Sequence, residues 1–192
     1  MTGRMIITRA DEAADRVAQG GIVAVLSIEH PGAVEGGKGA APRLSGVTQK
    51  ILTFWDSETP VVQGPDRAMV EEGVQFILDH IETGDVLIHC HAGKARSAAM
   101  ALGGLALIHT DKSADDLVKM LAEMRPVAAP NILVVAFADD IAGRGGALVA
   151  AVERHGVFAE NRRRAELSRQ RQLEKDPSLW KKLYPEKFPP KP

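Results

Sequence analysis

The single cysteine of this chain, Cys90, lies six positions before an arginine in the sequence HCHAGKARS. The apolar run VLIH leads into it, and small and apolar residues follow Ser97. A buried strand, a tight turn and a helix in that order bring backbone N–H groups together at a helix N-terminus, where they bind anions. Arg96, at the start of the helix, can hold two phosphate oxygens at once. This pattern predicts a phosphate-binding loop with a thiol at its base.

The same surroundings predict that Cys90 is a nucleophile. Amide donors, a helix N-terminus and an arginine lower the pKa of a thiol from about 8.5, so that it is a thiolate at neutral pH. A thiolate opposite a bound phosphate can attack phosphorus and form a phosphocysteine, which water then hydrolyses. Ser97 can donate a hydrogen bond to the sulfur and make it a better leaving group. We predict that His89 orients the loop through a hydrogen bond to backbone, since a thiolate needs no base.

The loop itself contributes the predicted contacts to phosphate. Gly93 allows a backbone conformation closed to most residues, and Lys94 raises the local positive potential. A cysteine and an arginine at this spacing are a weak signal by themselves, and a buried structural cysteine is the alternative. The preceding strand, the glycine, the serine and the small-residue helix together favour the phosphate site. Its predicted residues are His91, Ala92, Gly93, Lys94, Ala95 and Arg96.

A separate carboxylic acid must protonate the leaving oxygen of a phosphate ester. Asp56 follows the predicted strand KILTFW and lies 34 positions before Cys90. Parallel strands that end at one edge of a sheet bring the residues at their ends together around a ligand. Asp56 is therefore the first candidate, with a turn-capping role as its alternative. Asp66, at the start of a helix, and Glu58 are the second and third candidates.

Strand-like apolar runs alternate with helical patterns along the chain. Buried strands are predicted at Met5–Arg9, Ile22–Ile28, Lys50–Trp55 and Val86–His89. Caps and helical spacing predict helices after Arg9, Pro65, Arg96, Ser113 and Asn131, and a last one in GALVAAVERHG. The alternation predicts an α/β fold, with a central, largely parallel twisted sheet flanked by helices on both faces.

The charges are unevenly distributed along the chain. The net charge is −1, but residues 161–192 carry +6 and residues 1–160 carry −7. We predict a catalytic domain over residues 1–160 and a basic, proline-containing tail over residues 161–192, extended or partly helical. The acidic domain argues against a nucleic-acid partner, and contact of the tail with an anionic membrane is a secondary alternative. The tail has four apolar anchor candidates, Trp180, Leu183, Tyr184 and Phe188.

The cysteine count and the apolar runs restrict the class of protein. One cysteine permits neither an internal disulfide nor a thiolate-rich zinc site. No apolar run reaches the length needed to cross a bilayer, and the N-terminal sequence lacks the layout of a secretory signal. We therefore expect a cytoplasmic protein.

At these residues the sequence resembles the cysteine-based protein tyrosine phosphatase superfamily. The superfamily signature, His-Cys, five residues, then Arg-Ser or Arg-Thr, is matched by His89, Cys90, Arg96 and Ser97. The order of VLIHC, a buried helix and MRPVAAPN resembles compact dual-specificity-like members, over about residues 5–155. The resemblance implies a tyrosine-phosphatase-like fold and hydrolysis of phosphomonoesters through a phosphocysteine, with no metal and no other cofactor. Its substrate would be a phosphorylated protein or a small phosphomonoester.

Three alternatives to a protein phosphatase stay open. Lys94 resembles a lysine of the phosphoinositide 3-phosphatase branch, which favours a phosphoinositide or soluble inositol phosphate as substrate, although His91 stands where a second lysine would strengthen that case. A catalytically weak module that binds phosphorylated ligands is the second alternative. Sulfur transfer of the rhodanese type is the third, but such loops do not require a serine like Ser97.

Overall fold

The computed structural model describes residues 3–175, and the predicted anchors Trp180, Leu183, Tyr184 and Phe188 lie outside them. The strands of this part of the chain form one sheet in the order β1-β4-β2-β3. All neighbouring pairs are parallel, and Cys90 lies beside both Arg9 and Ile28. The carboxyl ends of the strands therefore share one edge of the sheet. The strands are β1 Met5–Arg9, β2 Ile22–Glu29, β3 Thr48–Thr53 and β4 Asp85–Cys90.

Both faces of the sheet are covered, which explains why the central strands are continuous apolar runs. Leu26 and Ile88 belong to the larger core on one face. Val25 and Leu87, one residue away on each strand, pack with Ala13 of the first helix on the other face. This arrangement confirms the predicted α/β class, with a parallel sheet and helices on both faces. The helices are α1 Ala10–Ala18, α2 Arg67–Ile81, α3 Arg96–Ile108, α4 Ala114–Met124, α5 Ile132–Ile141, α6 Ala147–Arg154 and α7 Gly156–Lys175.

Helix α3 is the element that most firmly positions the loop after β4. Every residue of it from Arg96 to Ala106 is buried, as its composition of small and apolar residues predicts. A helix packed on all sides has few alternative positions in a densely packed interior. Arg96 and Ser97 are therefore held rigidly at its first turn.

Side-chain caps begin three of the helices. The carboxylate of Asp66 accepts from the N–H of Met69 at 2.7 Å, which caps α2. The predicted caps Ser113 and Asn131 are confirmed, since each side chain accepts a hydrogen bond from a backbone N–H of the first turn of α4 or α5. Such caps satisfy N–H groups that have no partner within the helix.

Strand β3 lies two residues earlier than predicted. We expected Lys50–Trp55, and the structure has Thr48–Thr53, paired with β2 up to Glu29 beside Thr53. The polar residues Thr48 and Gln49 hid the start of the strand from an apolar-run criterion. The pairing stops where the Trp55 N–H turns to the carbonyl of Gln63, at 2.9 Å.

Helix α7 runs across the predicted division between residues 160 and 161. Its Phe158 is fully buried in the larger core, so the start of this helix is part of the folded body. The assignment of residues 161–192 as a separate tail stays a prediction. Within residues 3–175, no helix combines the length and the apolar character needed to cross a membrane.

Candidate active site

The turn between β4 and α3, residues 91–95, is held from outside by its carbonyl groups. None of its own N–H groups has an acceptor among the residues that the structure describes. Free amides on a tight turn that leads into a helix are the arrangement that binds anions. Four donors from outside the turn and α3 hold the carbonyls: the Ala10 N–H to His91 at 3.4 Å, Arg125 Nε to Gly93 at 3.0 Å, the Ala129 N–H to Lys94 at 2.9 Å and the Asn131 N–H to Ala95 at 3.4 Å.

Gly93 is required by both conformation and space. Its φ is +61°. This is the left-handed region, which residues other than glycine rarely adopt. A Cβ at this position would lie 2.3 Å from the carbonyl oxygen of Thr8 at the end of β1. The turn therefore passes directly against the neighbouring strand, and only glycine fits there.

We expect Gly93→Ala to lower the free energy of unfolding by about 3 kcal/mol, because the backbone strain adds to a steric clash. Gly145→Ala is the matched control, since Gly145 has the same φ of +61° but nothing within 4 Å of its Cβ position. That control should cost only about 1 kcal/mol. Urea unfolding of both variants measures the difference, and equal losses would show that the contact with Thr8 is not limiting.

Cys90 ends β4 with its side chain buried at the base of the turn. Its Sγ lies 3.2 Å from Oγ of Ser97 in the first turn of α3. Burial by itself raises the pKa of the thiol. The charge of Arg96 and the hydrogen bonds from the hydroxyl and backbone N–H of Ser97 outweigh it and lower the pKa of Cys90 below its ordinary value. These groups stabilise the thiolate.

Arg96 is only 2% exposed, and its guanidinium group connects the ends of two strands at the sheet edge. Its Nη1 donates to two carbonyl oxygens: that of Glu29, the last residue of β2, at 3.0 Å, and that of Phe54, directly after β3, at 2.7 Å. Its buried Nε has no partner among residues 3–175. One nitrogen of the guanidinium thus fixes the group, while another keeps its hydrogen for a ligand.

His89 is buried behind the turn and touches a side chain, not backbone as we predicted. Its Nε2 lies 2.8 Å from Oγ of Ser27, which in turn accepts a hydrogen bond from Gln49 at 2.9 Å. Burial, with a smaller effect of the Arg96 charge, lowers the pKa of His89 to about 4. His89 is therefore neutral near pH 7 and links β4 to β2. A pattern within one strand cannot predict a partner on another.

Asp56 lies at the same sheet edge, three residues beyond the end of β3 and not directly at it. Its Oδ1 accepts a hydrogen bond of 2.8 Å from Nδ2 of Asn131. Because Oδ1 is occupied, the other carboxyl oxygen is the one left for a proton. Asp66, the second candidate, caps α2 and does not line the pocket above Cys90, whereas Glu58 does line it.

A pocket of about 830 Å³ opens over the turn and joins most of the predicted residues, a volume in the range of small-molecule sites. Three predicted residues, Gly93, Ser97 and His89, lie behind its surface, where they support the turn. Residues of α7 form part of its wall, which the sequence did not predict. The predicted residues that line it are Asp56, His91, Ala92, Lys94, Ala95, Cys90 and Arg96.

His30 also lines the pocket and was not predicted. Its ring centre lies 5.5 Å from that of Trp55 and 5.9 Å from that of His91. Burial first, and then the charge of Arg96, lowers the pKa of His30 to about 4. The glycine-rich segment before β3 thus places a neutral imidazole beside the turn between β4 and α3, although the composition of this segment indicated only a loop.

No protein-family model matches the chain, and no curated protein sequence matches it either. Solved structures do match. A mouse protein described as a dual specificity phosphatase, complexed with zinc tungstate, has a TM-score of 0.59 at 22% identity, over 74% of this chain and 84% of that one. Human DUSP28 has a TM-score of 0.58 at 19% identity, over 73% and 92%. PTPMT1 in complex with PI(5)P has a TM-score of 0.53 at 21% identity, over 72% of this chain and 90% of that one.

These similarities establish the fold. The chain has the fold of the dual-specificity members of the cysteine-based protein tyrosine phosphatase superfamily, as the resemblance of the loop implied. One of these solved structures, that of PTPMT1, holds PI(5)P. At such low identity the reaction of this chain has to be argued from its own residues.

Proposed function

We propose that this chain is a metal-independent phosphomonoester hydrolase that acts through a phosphocysteine on Cys90. The observation that carries the proposal is the pairing of Cys90 with Ser97 and Arg96 beneath a turn whose amides have no acceptor in the described part of the chain. Anion-binding groups that surround a thiol both stabilise the thiolate and place a phosphate in front of it. A structural cysteine needs neither.

In the first step, Sγ of Cys90 attacks phosphorus. The S–P bond forms while the bond from phosphorus to the leaving oxygen breaks. The free amides of the turn and the guanidinium of Arg96 stabilise the charge on the other phosphate oxygens. Asp56, in its protonated form, donates its proton to the leaving oxygen, so that the alcohol or phenol departs neutral.

In the second step, a water molecule attacks the phosphocysteine. The carboxylate of Asp56 accepts a proton from this water, the new P–O bond forms and the S–P bond breaks. Sγ of Cys90 leaves as a thiolate, which the hydroxyl of Ser97 stabilises as a hydrogen-bond donor. Inorganic phosphate is released, and Asp56 is protonated again for the next cycle. Asn131 holds the carboxyl group in place for both transfers.

We propose phosphotyrosine and phosphoserine or phosphothreonine of proteins, or a small phosphomonoester, as the substrate class. The similarity to the mouse protein described as a dual specificity phosphatase supports the protein substrate. The similarity to PTPMT1, whose structure holds PI(5)P, supports the inositol phosphate alternative, and Lys94 in the pocket fits it. Because catalysis depends on a reduced thiol, we also propose a cytoplasmic location.

The leaving-group dependence of hydrolysis tests both the reaction and the acid. The wild type should release phosphate from 4-nitrophenyl phosphate in the presence of a metal chelator. Asp56→Asn should lower kcat about 10²- to 10³-fold for an alkyl phosphate, whose oxygen needs a proton to leave, and much less for 4-nitrophenyl phosphate. Steady-state kinetics with the two substrates measures this.

Asp66→Asn is the matched control for the acid. Asparagine keeps the cap of α2, since it is as good an N-cap as aspartate, so this variant should behave like the wild type with both substrates. An inactive wild type, or one that requires a divalent ion, would overturn the proposed reaction. An equal loss with both substrates in Asp56→Asn would move the acid to another residue.

A further inference from the structure

Helix α7 contributes to the wall of the active-site pocket an arginine with two buried nitrogens that have no hydrogen-bond partner within residues 3–175. Arg162 lines the pocket that contains Cys90 and Arg96. Its Nε and Nη2 are buried, and neither has a hydrogen-bond partner among the described residues. Buried guanidinium nitrogens are almost always paired in folded proteins, so two unpaired ones in a residue that lines a pocket favour an anionic ligand.

The neighbouring arginines differ in this respect. Nε of Arg163 lies 3.0 Å from Glu160, and Nε of Arg164 lies 2.8 Å from the same side chain. Glu160 therefore serves both of its neighbours but not Arg162. The pocket also contains four carboxylates, and none of them is a hydrogen-bond partner of Nε or Nη2 of Arg162: they are Asp56, Glu58, Glu153 and Glu166.

The position of Arg162 is fixed by the residue before it. Nδ2 of Asn161 donates to the carbonyl oxygens of Pro126 at 2.9 Å and Ala128 at 2.8 Å. The same segment supports the phosphate loop, because the Ala129 N–H donates to Lys94. Helix α7 and the loop are therefore attached to one piece of backbone, which holds Arg162 at a defined place in the pocket.

We propose that Arg162 forms a second anion site, and that the substrate of this pocket is a compact molecule with two phosphate groups. The proposal rests on the proposed function for its first site: one phosphate binds the turn above Cys90, and the other binds Arg162. Lys94, which lines the same pocket, adds positive charge to it. An inositol bisphosphate, free or as a lipid headgroup, has this chemistry, and its size suits one pocket of about 830 Å³.

Binding to a catalytically silent chain tests the second site independently of turnover. Full-length Cys90→Ser is titrated by calorimetry with inositol monophosphate and with inositol bisphosphate. We expect the bisphosphate to bind at least tenfold more tightly. In the double variant Cys90→Ser, Arg162→Gln, the preference for bisphosphate over monophosphate should be about tenfold to a hundredfold lower, since hydrogen bonds to a charged group are lost. Arg164→Gln removes the same charge from the exposed side of α7 and should leave the preference unchanged.

Further arms identify the source of the ligand and the outcomes that overturn the proposal. In a second experiment, vesicles that carry phosphatidylinositol bisphosphate replace the soluble inositol bisphosphate. Binding of either bisphosphate that is tighter than binding of the monophosphate supports the site, and the tighter of the two probes shows whether the ligand is soluble or a lipid headgroup. An unchanged preference in Arg162→Gln, or an equal loss in Arg164→Gln, overturns it. So does tighter binding of a doubly phosphorylated peptide than of both inositol probes. If the wild type binds the bisphosphate selectively but hydrolyses no phosphate ester, the second site stands and the proposed reaction fails.

Discussion

Replacement of Cys90 by serine is expected to lower kcat for 4-nitrophenyl phosphate by roughly four orders of magnitude or more, the scale of loss when an enzyme loses its nucleophile. A serine hydroxyl keeps the shape of the site. It is not deprotonated near pH 7, however, and an alkoxide would be a poor leaving group in the second step. Because Cys90 is the only cysteine of the chain, no other thiol can take its place.

Two controls separate lost chemistry from lost structure. In urea, the free energy of unfolding of Cys90→Ser should equal that of the wild type within about 1 kcal/mol, because the substitution changes one atom in an otherwise intact turn. It should also still bind inorganic phosphate, since the amides and Arg96 are unchanged. Hydrolysis that survives in a correctly folded variant would exclude Cys90 as the nucleophile.

Arg96→Lys should lower kcat/KM about 10³-fold although the positive charge is kept. Arg96 uses Nη1 for the carbonyls of Glu29 and Phe54, and its buried Nε has no partner within residues 3–175, which leaves it for the phosphate that we propose as substrate. A lysine has one nitrogen, which cannot hold both carbonyls and also bind two oxygens of the transition state. The loss of paired, charge-assisted hydrogen bonds in a buried site is worth several kcal/mol.

Arg125→Lys is the matched control for this substitution. Nε of Arg125 makes one hydrogen bond of 3.0 Å, to the carbonyl of Gly93, on the outside of the same turn. A lysine can replace one such bond, so kcat/KM should fall less than tenfold. Equal losses in the two variants would mean that Arg96 only supports the turn and does not bind the phosphate.

The parts of the fold that were predictable depend on residues near each other in the sequence. The buried strand before Cys90, the glycine of the turn and the arginine six positions later form one continuous segment. The spacing of these residues therefore predicts how the strand, the turn and the helix follow one another. The caps Ser113 and Asn131 act within one helical turn and were predictable for the same reason. The alternation of apolar strands and helices led to the parallel sheet.

The parts that were not predictable join residues far apart in the sequence. Asn131 and Asp56 are 75 positions apart, and His89 and Ser27 are 62 apart. No local pattern indicates that a helix cap also holds a carboxylate, or that a strand histidine pairs with a neighbouring strand. The wall formed by α7 is a third example, because the same basic composition is also typical of a solvated tail.

The charge state of Cys90 is the central claim, and the chain offers a direct way to measure it. With only one cysteine in the sequence, the ultraviolet absorbance of the thiolate, followed against pH, reports Cys90 alone. We predict a pKa well below the ordinary value of about 8.5 for a thiol, and a shift back toward that value in Ser97→Ala, which removes one hydrogen bond to the sulfur. A wild-type thiol that titrates at about 8.5 or above would contradict the mechanism.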